Sequence, residues 1–140
     1  MTEEDIPRVA ELEKLIFTTP WSEKVYRETF ELAGVEYVVA CDDEVIIGAA
    51  GIRNIVGTGE ITNVMVLPEY RGRGVGRQIL EELLERGRKL GAEEFTLEVR
   101  SSNEPAIRLY ESFGFVCEGI RPGFYSEPLE DAKIYWIHNK

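Results

Sequence analysis

Along the chain the apolar positions change period several times, and each change marks an element. Ile6, Val9, Ala10, Leu12, Leu15 and Ile16 recur at helical spacing behind Thr2, which predicts a first helix over 2–17 with Thr2 as its N-cap. Ser22 caps a second helix over about 22–32, with Val25, Tyr26 and Phe30 apolar, the Pro20-Trp21 corner before it and Gly34 after it. Runs rich in β-branched residues at 35–40 and 45–55, joined across 41–44, read as two strands, and 56–59 turns into a third at 61–67. Together they predict an antiparallel meander, stopped at Pro68, which has no N–H to give a sheet. Val75, Ile79, Leu80, Leu83, Leu84 and Leu90 then return to helical spacing, with Gly91 as the stop.

Beyond that helix, Phe95, Leu97 and Val99 alternate with Thr96 and Glu98 over 94–99, so strand, helix and strand predict a parallel right-handed crossover. Asn103 caps a short helix with Pro105 in its first turn, and Ala106, Ile107, Leu109, Tyr110 and Phe113 lead to Gly114. Strands at 115–120 and 132–138, linked by 121–131, finish a mixed α/β sheet that is mostly antiparallel. At 140 residues, with no internal repeat and no linker, the chain reads as a single domain over 1–140.

Composition narrows the partners. No apolar run approaches a membrane span, and the acidic start Thr2-Glu3-Glu4-Asp5 is the reverse of a signal peptide, so a cytoplasmic protein with no membrane partner is expected. A net charge of -10 argues against nucleic acid, which wants a basic face. It suits a basic peptide or amine, and it equally serves solubility. Cys41 and Cys117 sit in apolar stretches without Cys-x-x-Cys spacing, which predicts buried free thiols and no metal site. His138 reads as a surface residue.

The stretch over 60–84 carries the chemistry. An apolar strand runs into Glu69-Tyr70-Arg71-Gly72-Arg73-Gly74-Val75-Gly76-Arg77 and then directly into a helix. The first turn of a helix has unpaired N–H groups and the positive end of the macrodipole, so it seats an anion. Gly72, Gly74 and Gly76 remove Cβ atoms from its path, and Arg71, Arg73 and Arg77 add charge. A pyrophosphate fits that description. A P-loop is excluded because Gly-Lys-Ser/Thr is absent, and a Rossmann fingerprint because Arg77 stands where its third glycine would be.

The run Arg71-x-x-Gly74-x-Gly76 resembles the acetyl-CoA pyrophosphate loop of the GNAT N-acetyltransferases, and the order of elements is similar to theirs over nearly the whole chain. Within that family, Asn63-Val64-Met65-Val66-x-Pro68-x-Tyr70-Arg71, Leu97-Glu98-Val99-Arg100-x-x-Asn103 and Ala106-Ile107-x-Leu109-Tyr110-Glu111-x-x-Gly114-Phe115 resemble the RimI branch, the ribosomal-protein-alanine N-acetyltransferases. Pro20-Trp21-Ser22 and Glu130-Asp131-Ala132 are similar to that branch too. The family usually carries a strand before its first helix. Here Met1 falls on the helix cap, so that first strand is expected to be missing.

The resemblance implies direct transfer of acetyl from acetyl-CoA to an amine, with no metal. Glu98 matches the general base, and alternatively reads as an exposed strand carboxylate; Tyr110 matches the acid that protonates the CoA sulfur, and equally reads as a core tyrosine. Val64, Met65 and Val66 would line the pantetheine arm through the backbone, and residues from Gly72 to Arg77, including Arg73, Val75 and Gly76, would hold the pyrophosphate, with Arg71 leading into the loop. Asn103 is expected to reach the pantetheine, or serves only as a cap. Phe124, Tyr125, Glu130 and Asp131 fall in the loop that borders the acceptor site in this family. The implied acceptor is a protein N-terminus with a small first residue, such as that of a ribosomal protein. A small amine or antibiotic, or a non-catalytic acetyl-CoA-binding module, are the alternatives, and the presence of both Glu98 and Tyr110 speaks against the last.

Overall fold

The computed structural model describes residues 1–17, 20–126 and 128–138. Helices α1 (Ile6–Ile16) and α2 (Glu23–Phe30) precede the meander β1 (Val35–Asp42), β2 (Val45–Ile55) and β3 (Thr58–Val66). Then come α3 (Val75–Lys89), β4 (Glu94–Arg100), α4 (Glu104–Ser112), β5 (Val116–Tyr125) and β6 (Glu130–Ile137). The six strands form one sheet in the order β1-β2-β3-β4-β6-β5, antiparallel except for the β3–β4 pair. No strand precedes α1 among the described residues, and β1 is an edge of the sheet.

Each face of the sheet has its own core, because the strands alternate. Ile52, Ile61, Phe95, Leu97 and Val99 pack under Ile79, Leu80, Leu83 and Leu84 of α3 and Tyr110 of α4. On the other face Ile6, Val9 and Leu12 of α1 and Tyr26 of α2 cover Tyr37, Ile47, Ala49 and Met65. The Ser22 hydroxyl accepts from the Val25 N–H (3.2 Å), as its position predicts.

Several boundaries differ from the sequence pattern. Thr2 heads a short 3-10 turn at Glu3–Asp5, where the Asp5 carboxylate accepts from the Thr2 N–H (2.8 Å); the α-helix itself begins at Ile6 with Pro7 in its first turn. The turn between β2 and β3 is only Val56-Gly57, and both have positive φ (49° and 86°), the geometry that lets two strands reverse with matching twist. The largest correction is at 121–131, expected as a loop. β5 continues to Tyr125, across an irregularity between Arg121 and Tyr125, and β6 begins at Glu130, so a long hairpin replaces the loop. Glu127 lies outside the described residues. The cysteines, expected to be buried, are free but exposed. Cys41 follows a register shift in edge strand β1, and Cys117 lies on edge strand β5, whose residues are mostly exposed.

Candidate active site

Strands β3 and β4 pair only through Thr58↔Glu94, Gly59↔Phe95 and Glu60↔Thr96, and then part. The cause lies in β3. Ala49↔Met65 and Gly51↔Thr62 leave three steps on β3 opposite two on β2, a bulge, and Asn63 takes it up with φ of 57°. Asparagine is among the few residues with a side chain that tolerate this left-handed conformation. Past the bulge, the Leu67 N–H donates to Ile47 O on β2 (2.8 Å). By alternation, Val66 and Val64 direct their backbone groups the other way, toward the side that β4 has left. Arg71 Nε donates to the Val66 carbonyl across that opening (3.1 Å). Met65 points its side chain into the α1 core, so only its backbone borders the strand surface.

The loop that follows is built for close approach. Gly74 is the N-cap of α3 with φ of 81°, and Gly72 has φ of 78°; a Cβ on either would meet nothing within 4 Å. Their glycine identity therefore answers to backbone conformation and leaves open space in front. Gly76 has a different reason, since a Cβ there would come within 3.1 Å of Leu109 Cδ2, and that side chain on α4 would have to give by a few tenths of an ångström. The first turn of α3 has no side-chain cap, and Gln78 N–H is already bonded to Gly74 O (3.1 Å), so the N–H groups of Val75, Gly76 and Arg77 face outward. Arg71, Arg73 and Arg77 are exposed around it, with neutral partners: Arg73 over the Tyr70 ring (5.3 Å), Arg77 over Phe113 (4.9 Å) and on Ser112 Oγ (3.0 Å). These donors, and the room in front of them, fit a pyrophosphate.

Glu98 stands on β4 two residues past the last β3 pair, on the face opposite Leu97 and Val99. One carboxylate oxygen meets Arg121 Nη1 at 3.4 Å; the other, Oε2, is buried without a partner. Tyr110 is buried at 6% exposure with its ring edge-on to Phe115, and burial, then Tyr125, push its phenol well above the usual tyrosine range. Burial, then the Glu98 carboxylate, also push the Tyr125 phenol up. Tyr125 is thus the electrostatic neighbour of Glu98 on one side and of Tyr110 on the other. Asn103 is exposed and its side-chain oxygen accepts from the Ala106 N–H (3.4 Å), so its visible work is capping. Glu130 accepts from the Ser102 N–H (2.6 Å) and pairs with Arg100 (3.3 Å), while Asp131 accepts from the Gly123 N–H (2.9 Å); these carboxylates brace the β5–β6 hairpin. Arg100 also lies over the Tyr125 ring (4.5 Å).

Three elements of the site escape a reading by pattern. Arg121, expected in a loop, is the ion-pair partner of Glu98. Asn63 reads as one more strand residue, yet forms the bulge. Glu13 is buried at 1% exposure and receives the Tyr26 hydroxyl, the Trp21 N–H and Asn63 Nδ2 (2.7 Å). Its place among Val9, Ala10 and Ile16 on the apolar stripe of α1 is the signal that marks it.

A profile of the acetyltransferase (GNAT) family matches residues 6–115. The chain belongs to this family. A protein of Bacillus subtilis (strain 168) is 38% identical over 135 residues, 96% of this chain and 89% of its own length. The ribosomal protein bS18-alanine N-acetyltransferase of Salmonella typhimurium (strain LT2) is 35% identical over 136 residues, covering 93% of this chain and 88% of that protein. Among solved structures, the ribosomal-protein-S18-alanine N-acetyltransferase of Escherichia coli superposes with a TM-score of 0.88 at 30% identity, covering 98% of this chain and 89% of that one. The GNAT chain is thus an acetyl-CoA-dependent N-acetyltransferase of the RimI kind, with the mixed, mostly antiparallel sheet of that fold. No described helix is long and apolar enough to cross a membrane.

Proposed function

We propose that the enzyme acetylates the N-terminal α-amine of a protein, of the ribosomal-protein class for which its relatives are named, at the splayed end of β3 and β4. The observation that carries this reading is the opening itself: a strand edge at Val64 and Val66 with no strand partner on the β4 side, a glycine-arginine helix start at one end, and a carboxylate, Glu98, across the gap. Acetyl-CoA supplies an acyl thioester whose C–S bond breaks as the amide C–N bond forms. The N–H groups of Val75, Gly76 and Arg77, with Arg71, Arg73 and Arg77, hold the pyrophosphate. The backbone of Val64, Met65 and Val66 lines the pantetheine arm as an added strand, one N–H there polarises the acetyl carbonyl, and Asn103 flanks the arm.

Glu98 takes the proton that the amine nitrogen sheds, and Tyr110, held protonated by its burial, gives one to the departing sulfur. On the acceptor side, a groove of about 250 Å³ bordered by Trp21, Val25, Tyr37, Glu60 and Thr62 lies beside β3 for the residues after the first. The test is thiol release from acetyl-CoA with a panel of acceptors. Peptides with a free N-terminus and a small first residue should react, and the same peptides with a blocked N-terminus should not. Release with polyamines or antibiotics alone overturns the protein-acceptor reading.

A further inference from the structure

Among the described residues two buried side-chain polar atoms lack a hydrogen-bond partner, Asn63 Oδ1 and Glu98 Oε2. A buried polar atom left unpaired costs stability, so such atoms point to a ligand or an ordered water. Both atoms are acceptors, and both belong to residues on the stretches of β3 and β4 that have parted. The ladder ends at Glu60↔Thr96; Glu98 is two residues further along β4, and Asn63 is three further along β3, one of which the bulge absorbs. They therefore stand at about the same height on neighbouring strands. They also share a face: Asn63 reaches Glu13 of α1, and Glu98 lies opposite the core under α3.

The orientation of the Asn63 amide is dictated from behind. The Glu13 carboxylate takes three donors and its oxygens serve only as acceptors, so Asn63 must turn its Nδ2 toward it (2.7 Å). That leaves Oδ1 facing away, unpartnered. A secondary observation agrees: asparagine bears the positive φ of 57° at this bulge, although glycine would bear it with less strain.

We propose that Asn63 Oδ1 and Glu98 Oε2 form a two-acceptor seat for the primary amine of the acceptor, each taking one N–H, with Glu13 as the positioning residue that fixes the direction of Asn63. The neutral amine then has its lone pair free to attack the acetyl carbon. As the C–N bond forms, the N–H on Glu98 is lost to Oε2, and the N–H on Asn63 remains in the product amide. The thiolate leaves with a proton from elsewhere in the site. The seat deepens the acetyltransferase reading above and rests on Glu98 as its base.

The experiment uses Asn63→Gly, which keeps the backbone conformation and removes the acceptor, and the exchange pair Glu13→Gln with Asn63→Asp. In the pair the amide and the carboxylate trade places: the amide now on α1 donates to the carboxylate now on β3, whose second oxygen again faces the opening. With an N-terminal alanine peptide, N63G should raise the acceptor KM and lower kcat/KM by about tenfold or more, with the acetyl-CoA Kd within about twofold of wild type. The exchange pair should recover most of that loss, which a merely structural role for Glu13 does not predict. An unchanged acceptor KM in N63G overturns the seat, as does a fall in kcat alone, which would place a relay water there. If N63G does not fold, a folded exchange pair with impaired acceptor KM overturns it equally. Glu98→Gln measured alongside separates the two readings. Full activity in E98Q with a defective N63G removes the base and keeps the Asn63 contact, whereas an impaired E98Q with a normal N63G refutes the seat alone.

Discussion

Replacing Gly74 by Ala and, separately, by Asp isolates the charge at the start of α3 from the backbone that presents it. Both variants put a side chain on a residue with φ of 81°, which costs about 1–2 kcal/mol. Neither meets a steric obstacle, because a Cβ there has nothing within 4 Å. Both should therefore melt lower, by about 3–6 °C for a chain of this size, with Asp recovering a few tenths of a kcal/mol from the helix dipole. They should differ in ligand binding. The Asp carboxylate stands roughly 5 Å from a pyrophosphate that carries about two charges, and at an effective dielectric between about 40 and 80 the repulsion is about 2–3 kcal/mol. That corresponds to a loss of acetyl-CoA affinity of about 30- to 150-fold in G74D relative to G74A, and the gap should narrow as salt is raised. Calorimetric titration of acetyl-CoA into both variants measures it directly, with thermal melts to confirm folding. Equal affinities in two folded variants would refute the assignment of this helix start as the pyrophosphate seat.

Glu98→Gln should lower turnover at neutral pH by up to about two orders of magnitude and recover in part above pH ~8, where the acceptor amine is neutral unaided; a uniform loss across the pH range argues against a base. Tyr110→Phe should lower turnover while leaving the acetyl-CoA Kd nearly intact, and because burial raises the Tyr110 phenol, wild type should show no loss of rate from its ionisation below about pH 10. Hydrogen bonds to Glu118 (2.8 Å) and Glu94 (3.3 Å) raise the His138 pKa. Its contribution to stability is therefore complete below the unfolded-state value near ~6.5 and is lost as pH climbs through the raised folded-state value. Denaturant midpoints of His138→Gln should lack that decline; an identical pH dependence in the variant removes His138 as its source.

Much of this protein is local enough to be written in its sequence. The apolar periods of α3 and β4, the Ser22 and Asn103 caps and the glycine-arginine run depend on neighbours within one or two turns, and the structure places them where the pattern does. Family resemblance then carried the enzyme class, because its motifs are contiguous stretches. The tertiary structure decided what depends on partners far along the chain. The reach of β5 to Tyr125 is set by pairing with β6, and the exposure of Cys41 and Cys117 by which strands end at the edges. The opening between β3 and β4 lies beside a bulge whose Asn63 is held by a carboxylate 50 residues away, Glu13. Such a contact leaves a single trace in the sequence, an acidic residue on an apolar helical stripe. Its meaning depends on the donors that folding brings to it, since a buried charge is tolerated only where hydrogen bonds replace its water.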